Sequence, residues 1–155
     1  MHLAAILKHK GTEVVTTTEA ATVAEVVRLL ARRRIGAAPV LGPDGAVAGI
    51  LSERDVMHAL AAMGAAALDR PAGDLMTRDV HTARPDTTVD EAVRAMTEGR
   101  FRHMPVLEGG RLVGLVSIGD VVKARMMEQE AEVDGLKAYV TGAGVADVVP
   151  VSGLA

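Results

Sequence analysis

The chain of 155 residues contains no cysteine and no tryptophan, and only one Phe and one Tyr. The missing cysteine excludes disulfides, thiolate catalysis and cysteine-based zinc sites. The near-absence of aromatics means that any core is built from Val, Leu, Ile, Ala and Met, which suits helices packed on buried strands. Excess positive charge is lacking too: the formal net charge is -3. That argues against non-specific binding to nucleic acid or to an anionic membrane. No apolar run reaches about 18 residues, so no membrane-spanning helix is expected. The first residues lack the apolar stretch of a signal peptide. The expectation is a soluble, cytoplasmic protein.

What the chain does have is a hydrophobic fraction of 49% and an internal repeat. Thr16 matches Thr82, Thr22 matches Thr88, Glu25 matches Glu91, and Pro39-Val40-Leu41 matches Pro105-Val106-Leu107, at a constant spacing of 66. One residue then drops out of a turn. At a spacing of 65, Gly49 matches Gly114, Ser52 matches Ser117 and Asp55 matches Asp120. A register held across a whole unit, with its one gap in a turn, marks a duplicated unit.

Each unit reads as strand-helix-strand-strand-helix. Thr22 with Glu25 and Thr88 with Glu91 have the form of capping boxes. Behind them, Val23, Val26, Val27 and Leu30, or Val89, Ala92, Val93 and Met96, repeat at helical period. Short buried strands are expected at residues 37–41 and 103–107. Turns of hairpin composition follow, then strands at 46–51 and 112–116. Helices are expected over about 53–63 and from about 119 onward. The domain division is residues 1–66 for the first repeat with its N-terminal segment, 67–79 for a linker, 80–130 for the second repeat, and 131–155 for a helix end and mobile tail. Residues 74–77 suggest one short helical turn. One unit of this size is marginal alone, but two can share a core.

Two runs carry chemistry: Gly49-Ile50-Leu51-Ser52-Glu53-Arg54-Asp55 and Gly114-Leu115-Val116-Ser117-Ile118-Gly119-Asp120. One reading is a helix cap, with Ser at the cap and Asp three residues on. The other is a ligand site, because a helix N-terminus attracts phosphate and one carboxylate can accept both hydroxyls of a ribose.

These runs, the Ala38-Pro39-Val40 and Met104-Pro105-Val106 strands, and the segments Asp74-Leu75-Met76-Thr77 and Phe101-Arg102-His103 give the chain its resemblance to a known family. Over roughly residues 5–130 it resembles the tandem CBS-domain, or Bateman-type, module of the small stand-alone bacterial kind. The resemblance implies an α/β (α+β) fold in which two repeats form a pseudo-two-fold intramolecular pair. It also implies regulatory adenosyl ligands, namely AMP foremost, with ADP, ATP, NAD and S-adenosylmethionine known across the family, bound in clefts between the repeats.

Carried over residue by residue, a site A joins Ser52, Arg54 and Asp55 to Val80, Thr82, Arg102, His103, Met104 and Pro105. A site B joins Ser117, Gly119 and Asp120 to Val14, Thr16, Gly36, Ala37, Ala38 and Pro39. The two are unequal. Site A has Arg54, Arg102 and His103 where site B has Gly119, Gly36 and Ala37, so site A is expected to favour a phosphate.

The remaining signals are weaker. His2, His9, His58, His81 and His103 show no metal spacing. Of these, His103 is the candidate ligand residue, with a polar strand residue as its alternative. His81 reads as a surface residue beside site A. Arg32-Arg33-Arg34 reads as a solvated helix end that complements the dipole. No nucleophile elbow, Walker-type loop or carboxylate pair is present, so no enzyme activity is expected. The last helix places Val122, Met126, Gln129, Val133, Leu136 and Val140 at alternating spacings of four and three. Such a seam either packs on its own domain or mediates a contact with a second copy or an unidentified protein partner. The leading expectation is a homodimeric ligand sensor, and the alternative is a purely structural dimerisation module with empty clefts.

Overall fold

Both capping boxes form. In the computed structural model, which describes residues 1–142, the Thr22 hydroxyl accepts from the Glu25 amide and the Glu25 carboxylate accepts from the Thr22 amide. Thr88 and Glu91 repeat the exchange. Each box starts an eleven-residue helix, α2 (Val23–Arg33) and α5 (Val89–Gly99). Such a cap contributes about 1 kcal/mol.

Each helix leads into an antiparallel pair. In the first repeat β2 (Ala37–Leu41) pairs with β3 (Val47–Ser52). In the second, β4 (His103–Glu108) pairs with β5 (Arg111–Ser117). Both pairs carry a bulge at the same place, between Val40 and Leu41 and between Val106 and Leu107. A short parallel strand β1 (Thr17–Thr18) completes the first sheet. Its counterpart in the second repeat shortens to a single bridge, Ala83 to Val106. The closing helices are α3 (Glu53–Met63) and α6 (Ile118–Gly142). A 3-10 stretch (Gly64–Asp69) and the short α4 (Ala72–Leu75) join the repeats.

The segments that precede the two repeats are exchanged. The N-terminal helix α1 (Leu3–Lys10) precedes the first repeat in the chain. Its buried Leu3, Ile6 and Leu7 instead join the core of the second repeat, with Val89, Met96, Met104, Val106, Val116 and Val121. Reciprocally, Ala72 and Met76 of the linker join Val23, Val26, Leu30, Val40, Leu51 and Val56 of the first. The hydrogen bonds repeat the exchange. The Leu3 and Ala4 amides donate to the Thr87 and Pro85 carbonyls, while the Ala72 and Gly73 amides donate to those of Ala21 and Glu19. Each repeat therefore has its own cluster of buried residues, completed by the other's leading segment.

Two glycines make this possible. A Cβ built on Gly114 of β5 would lie 2.5 Å from Leu7, and one on Gly49 of β3 would lie 2.6 Å from Met76. At these mid-strand positions the exchanged segment lies directly on the backbone. Among the described residues no helix is long and apolar enough to cross a membrane. Residues 143–155, the tail expected to be mobile, lie outside the described residues.

Candidate functional site

At the start of α3, the Ser52 hydroxyl accepts from the Asp55 amide at 3.2 Å and the Asp55 Oδ2 accepts from the Ser52 amide at 2.9 Å. The capping reading of this run is therefore realised. The second carboxylate oxygen, Oδ1, takes no part in the cap and accepts from the Thr77 hydroxyl at 3.0 Å. Asp55 and Thr77 both line a cavity of about 310 Å³, at the lower end of the roughly 300–1,000 Å³ of small-molecule clefts.

Both repeats build the cavity. Ser52, Arg54 and Asp55 come from the first, Val80, Arg102 and His103 from the second and its lead-in. Six of the nine residues assigned to site A thus line one space. The other three do not. Met104 and Pro105 are buried within β4, Met104 in the core of the second repeat. Thr82 is exposed, next to the Ala83 bridge. Gly36, assigned to site B, also lines this cavity. It sits at the junction because its missing side chain admits Glu53 and His103, which an added Cβ would approach to 2.9 and 3.1 Å.

The sequence reading missed several lining residues. Phe101, the single Phe of the chain, stacks on His81 with ring centroids 4.5 Å apart and planes at 11°. Both rings border the cavity and present an apolar face of the kind a purine stacks on. Arg100 lines it as well. Its left-handed conformation (φ 56°) ends α5, and its carbonyl accepts from Arg54 Nη1 at 3.0 Å. This bond fastens the first repeat to the second at the cavity's edge. Phe101 belongs to a segment that carries the family resemblance, but nothing local shows which ring it stacks on.

The charge in the cavity is mixed. Arg54, Arg100 and Arg102 face Glu53, Asp55 and Asp79 around the same space. Half-buried His103 is not a ready cation: burial, with Lys10 and Arg102 nearby, holds its pKa below the ordinary value of 6.5 against the pull of Glu53 and Asp120. Its charged form therefore belongs to a lower pH than an exposed histidine's.

The second constellation is built on the same plan but is differently occupied. The Ser117 hydroxyl accepts from the Asp120 amide at 3.2 Å, and Asp120 Oδ2 accepts from the Ser117 amide at 2.8 Å. Here the carboxylate meets a cation. Lys10, at the end of α1, donates to Asp120 Oδ2 at 2.6 Å and to the Leu115 carbonyl at 2.9 Å. Burial alone would raise the Asp120 carboxyl. The Lys10 and Ser117 hydrogen bonds and the Lys10 charge outweigh it and hold the pKa below the ordinary value. Of the other residues assigned to site B, Ala37, Ala38 and Pro39 are buried in β2. Val14 and Thr16 are half-buried on the chain leading to β1, and Gly119 is exposed.

Two CBS domain matches cover residues 10–62 and 72–127. The chain belongs to the CBS-domain family. It is 37% identical over 125 residues to the mitochondrial CBS domain-containing protein CBSX3 of Arabidopsis thaliana, an alignment that covers 78% of this chain and 61% of that longer protein. The solved CBS-domain protein ATU1752 of Agrobacterium tumefaciens shares 43% identity at a TM-score of 0.79, covering 81% of this chain and 99% of that one. The CBS domain protein PAE2072 of Pyrobaculum aerophilum, solved in complex with AMP, shares 30% identity at a TM-score of 0.70, over 77% of this chain and 89% of that one. The tandem-repeat architecture and the CBS pair expected from the sequence are thus the observed ones.

Proposed function

We propose that this protein is a non-catalytic regulatory module that binds an adenine nucleotide, AMP foremost, in the cavity between its repeats. The observation that carries the reading is Asp55, which lines a cavity made by both repeats and whose Oδ1 accepts from a neutral hydroxyl, that of Thr77. A ribose hydroxyl can replace the Thr77 hydroxyl like for like. Arg54, Arg100 and Arg102 offer the phosphate charge-assisted hydrogen bonds that adenosine cannot use. Phe101 and His81 offer a stacking face. The AMP complex of the Pyrobaculum relative supports the class of ligand. ATP, ADP and NAD are the alternatives, and titrating each beside AMP ranks them.

Titration calorimetry tests the reading. Asp55→Ala is expected to weaken AMP at this cavity by about 1.5–3 kcal/mol, the scale of hydrogen bonds to a charged group. Arg102→Ala is expected to remove most of the preference for AMP over adenosine and to flatten its salt dependence. Phosphate beside His103 favours the imidazolium, so AMP raises a pKa that the free protein holds low. Binding is then expected to take up protons and to tighten as pH falls toward the low value of the free protein. A chain that gains no thermal stability from any of these nucleotides is instead the purely structural module.

Homodimerisation through α6 is the second part of the proposal. The seam does not pack on its own domain: Val122, Met126, Val133 and Leu136 are 45, 55, 50 and 68% exposed, while Val121 and Ala124 on the other side of the helix are buried. Exposed apolar residues in such a row mark an association surface. Replacing Val133 and Leu136 together by Lys is expected to shift sedimentation from dimer to monomer without changing the helical signal, because desolvating two charges in an apolar contact is costly. An unchanged dimer would remove α6 from the interface. Ligand in the cavity would shift the angle between repeats, and α6 would pass that shift to a partner.

A further inference from the structure

Each repeat has its own cluster of buried residues, so the two can move against each other as bodies at the cleft where they meet. A hydrogen bond spans that cleft at the cavity's edge. Arg54, the second residue of α3 in the first repeat, donates from Nη1 to the Arg100 carbonyl at 3.0 Å. Arg100 ends α5 with φ 56° and leads directly into Phe101, Arg102 and His103. Arg54, Arg100 and those three residues all line the cavity. The bond thus ties the wall that carries Ser52 and Asp55 to the wall that carries Arg102 and His103. The duplication does not repeat it. Arg34 matches Arg100 and shares its left-handed backbone, with φ 54°. Gly119, however, stands where Arg54 would be matched, and it has no side chain to reach across.

We propose that Arg54 is a phosphate-operated clasp between the repeats: it joins them in the free protein and lets go of Arg100 when a nucleotide phosphate enters the cavity. This inference rests on the functional reading above and gives that site its regulation. The clasp is exposed and its acceptor is a neutral carbonyl, so little is lost when it opens. A phosphate offers the same guanidinium an anion, and charge-assisted hydrogen bonds are roughly twice as strong as neutral ones. Adenosine brings no anion and leaves the clasp shut. Occupancy and response are therefore separate: a nucleoside can fill the cavity, but only a phosphorylated ligand shifts the repeats.

The test measures the spacing of the repeats. The chain has no cysteine, so Arg28→Cys and Arg94→Cys place two spin labels on exposed, matched positions of α2 and α5. Pulsed dipolar spectroscopy, with labelled chain diluted in unlabelled chain, reads the distance within one molecule. Saturating AMP is expected to shift the distance distribution, and saturating adenosine to leave it as in the free protein. Arg54→Met, which keeps the stem and removes the donors, should give the shifted distribution without any ligand, and AMP should change it no further. Arg54→Lys, which restores a cationic donor, should return the free chain toward the native distribution. Melting curves confirm that each variant is folded, and Arg54→Ala replaces Arg54→Met if the latter is not. Calorimetry on the same samples reports binding. AMP bound without a shift, as when Nη1 stays on Arg100 while the other nitrogens hold the phosphate, overturns the clasp and leaves the functional reading standing. So does an equal shift with adenosine, or a native distribution in the free Arg54→Met chain. A native chain that binds neither ligand fails the functional reading itself, and the clasp with it.

Discussion

Replacing Leu3 by Ala is expected to destabilise the protein by about 2–5 kcal/mol, the range for emptying a buried leucine site. Leu3 is fully buried, yet it stands at the very start of the chain, ahead of both repeats. Its neighbours in the core are Val89, Val106, Val116 and Val121. The loss should therefore fall on the second repeat. Hydrogen exchange is the discriminating measurement: amides of β4 and β5 should lose protection, while those of β2 and β3 keep theirs. Equal loss in both repeats would show that they unfold as one unit, and loss confined to the first would contradict the exchange of segments.

Adding a methyl group to either mid-strand glycine should also destabilise, and the two substitutions should differ. Gly114→Ala forces its Cβ against the end of the Leu7 side chain, which can turn aside within its pocket. Gly49→Ala meets Met76 Sδ at 2.6 Å and also the Thr77 carbonyl at 2.7 Å. That carbonyl belongs to backbone hydrogen-bonded to Ile50, whose amide it accepts at 2.9 Å, so it cannot move without breaking a bond. Overpacking costs about 1–3 kcal/mol where side chains can adjust, and more where they cannot. Urea denaturation should place Gly114→Ala inside that range and Gly49→Ala at or above its top. Gly49→Ala should also weaken AMP binding in the first cavity, because Thr77 carries the hydroxyl on Asp55. Equal, small effects would mean that the exchanged segments ride more loosely on the strands than their packing indicates.

Much of this protein is legible in its sequence because the informative signals are local. A capping box spans four residues, so Thr22–Glu25 and Thr88–Glu91 announce their helices without help from the fold. Apolar spacing gives the buried faces of α2 and α5, and paired Gly-rich turns give the hairpins. Duplication then does for the whole unit what the cap does for the helix: one repeat tests the reading of the other. Asp55, Arg54, Arg102 and His103, assigned through the family resemblance, do line one cavity. The protonation of His103 did not follow. His103 is held toward its neutral form by burial and by the Lys10 and Arg102 charges, against Glu53 of α3 and Asp120 of α6, and its own strand foretells little of this balance.

The sequence by itself determined the two repeats, their element order and the residues that begin each helix, since each depends on neighbours a few positions away. The tertiary structure alone decided which core each leading segment completes, which residues stack at the cavity, and what holds each capping aspartate. Lys10 and Asp120 are 110 positions apart, and no periodicity or motif links them. They meet because apolar burial seats α1 on the second repeat, a choice made by the free energy of packing two cores at once rather than by any local preference of the chain.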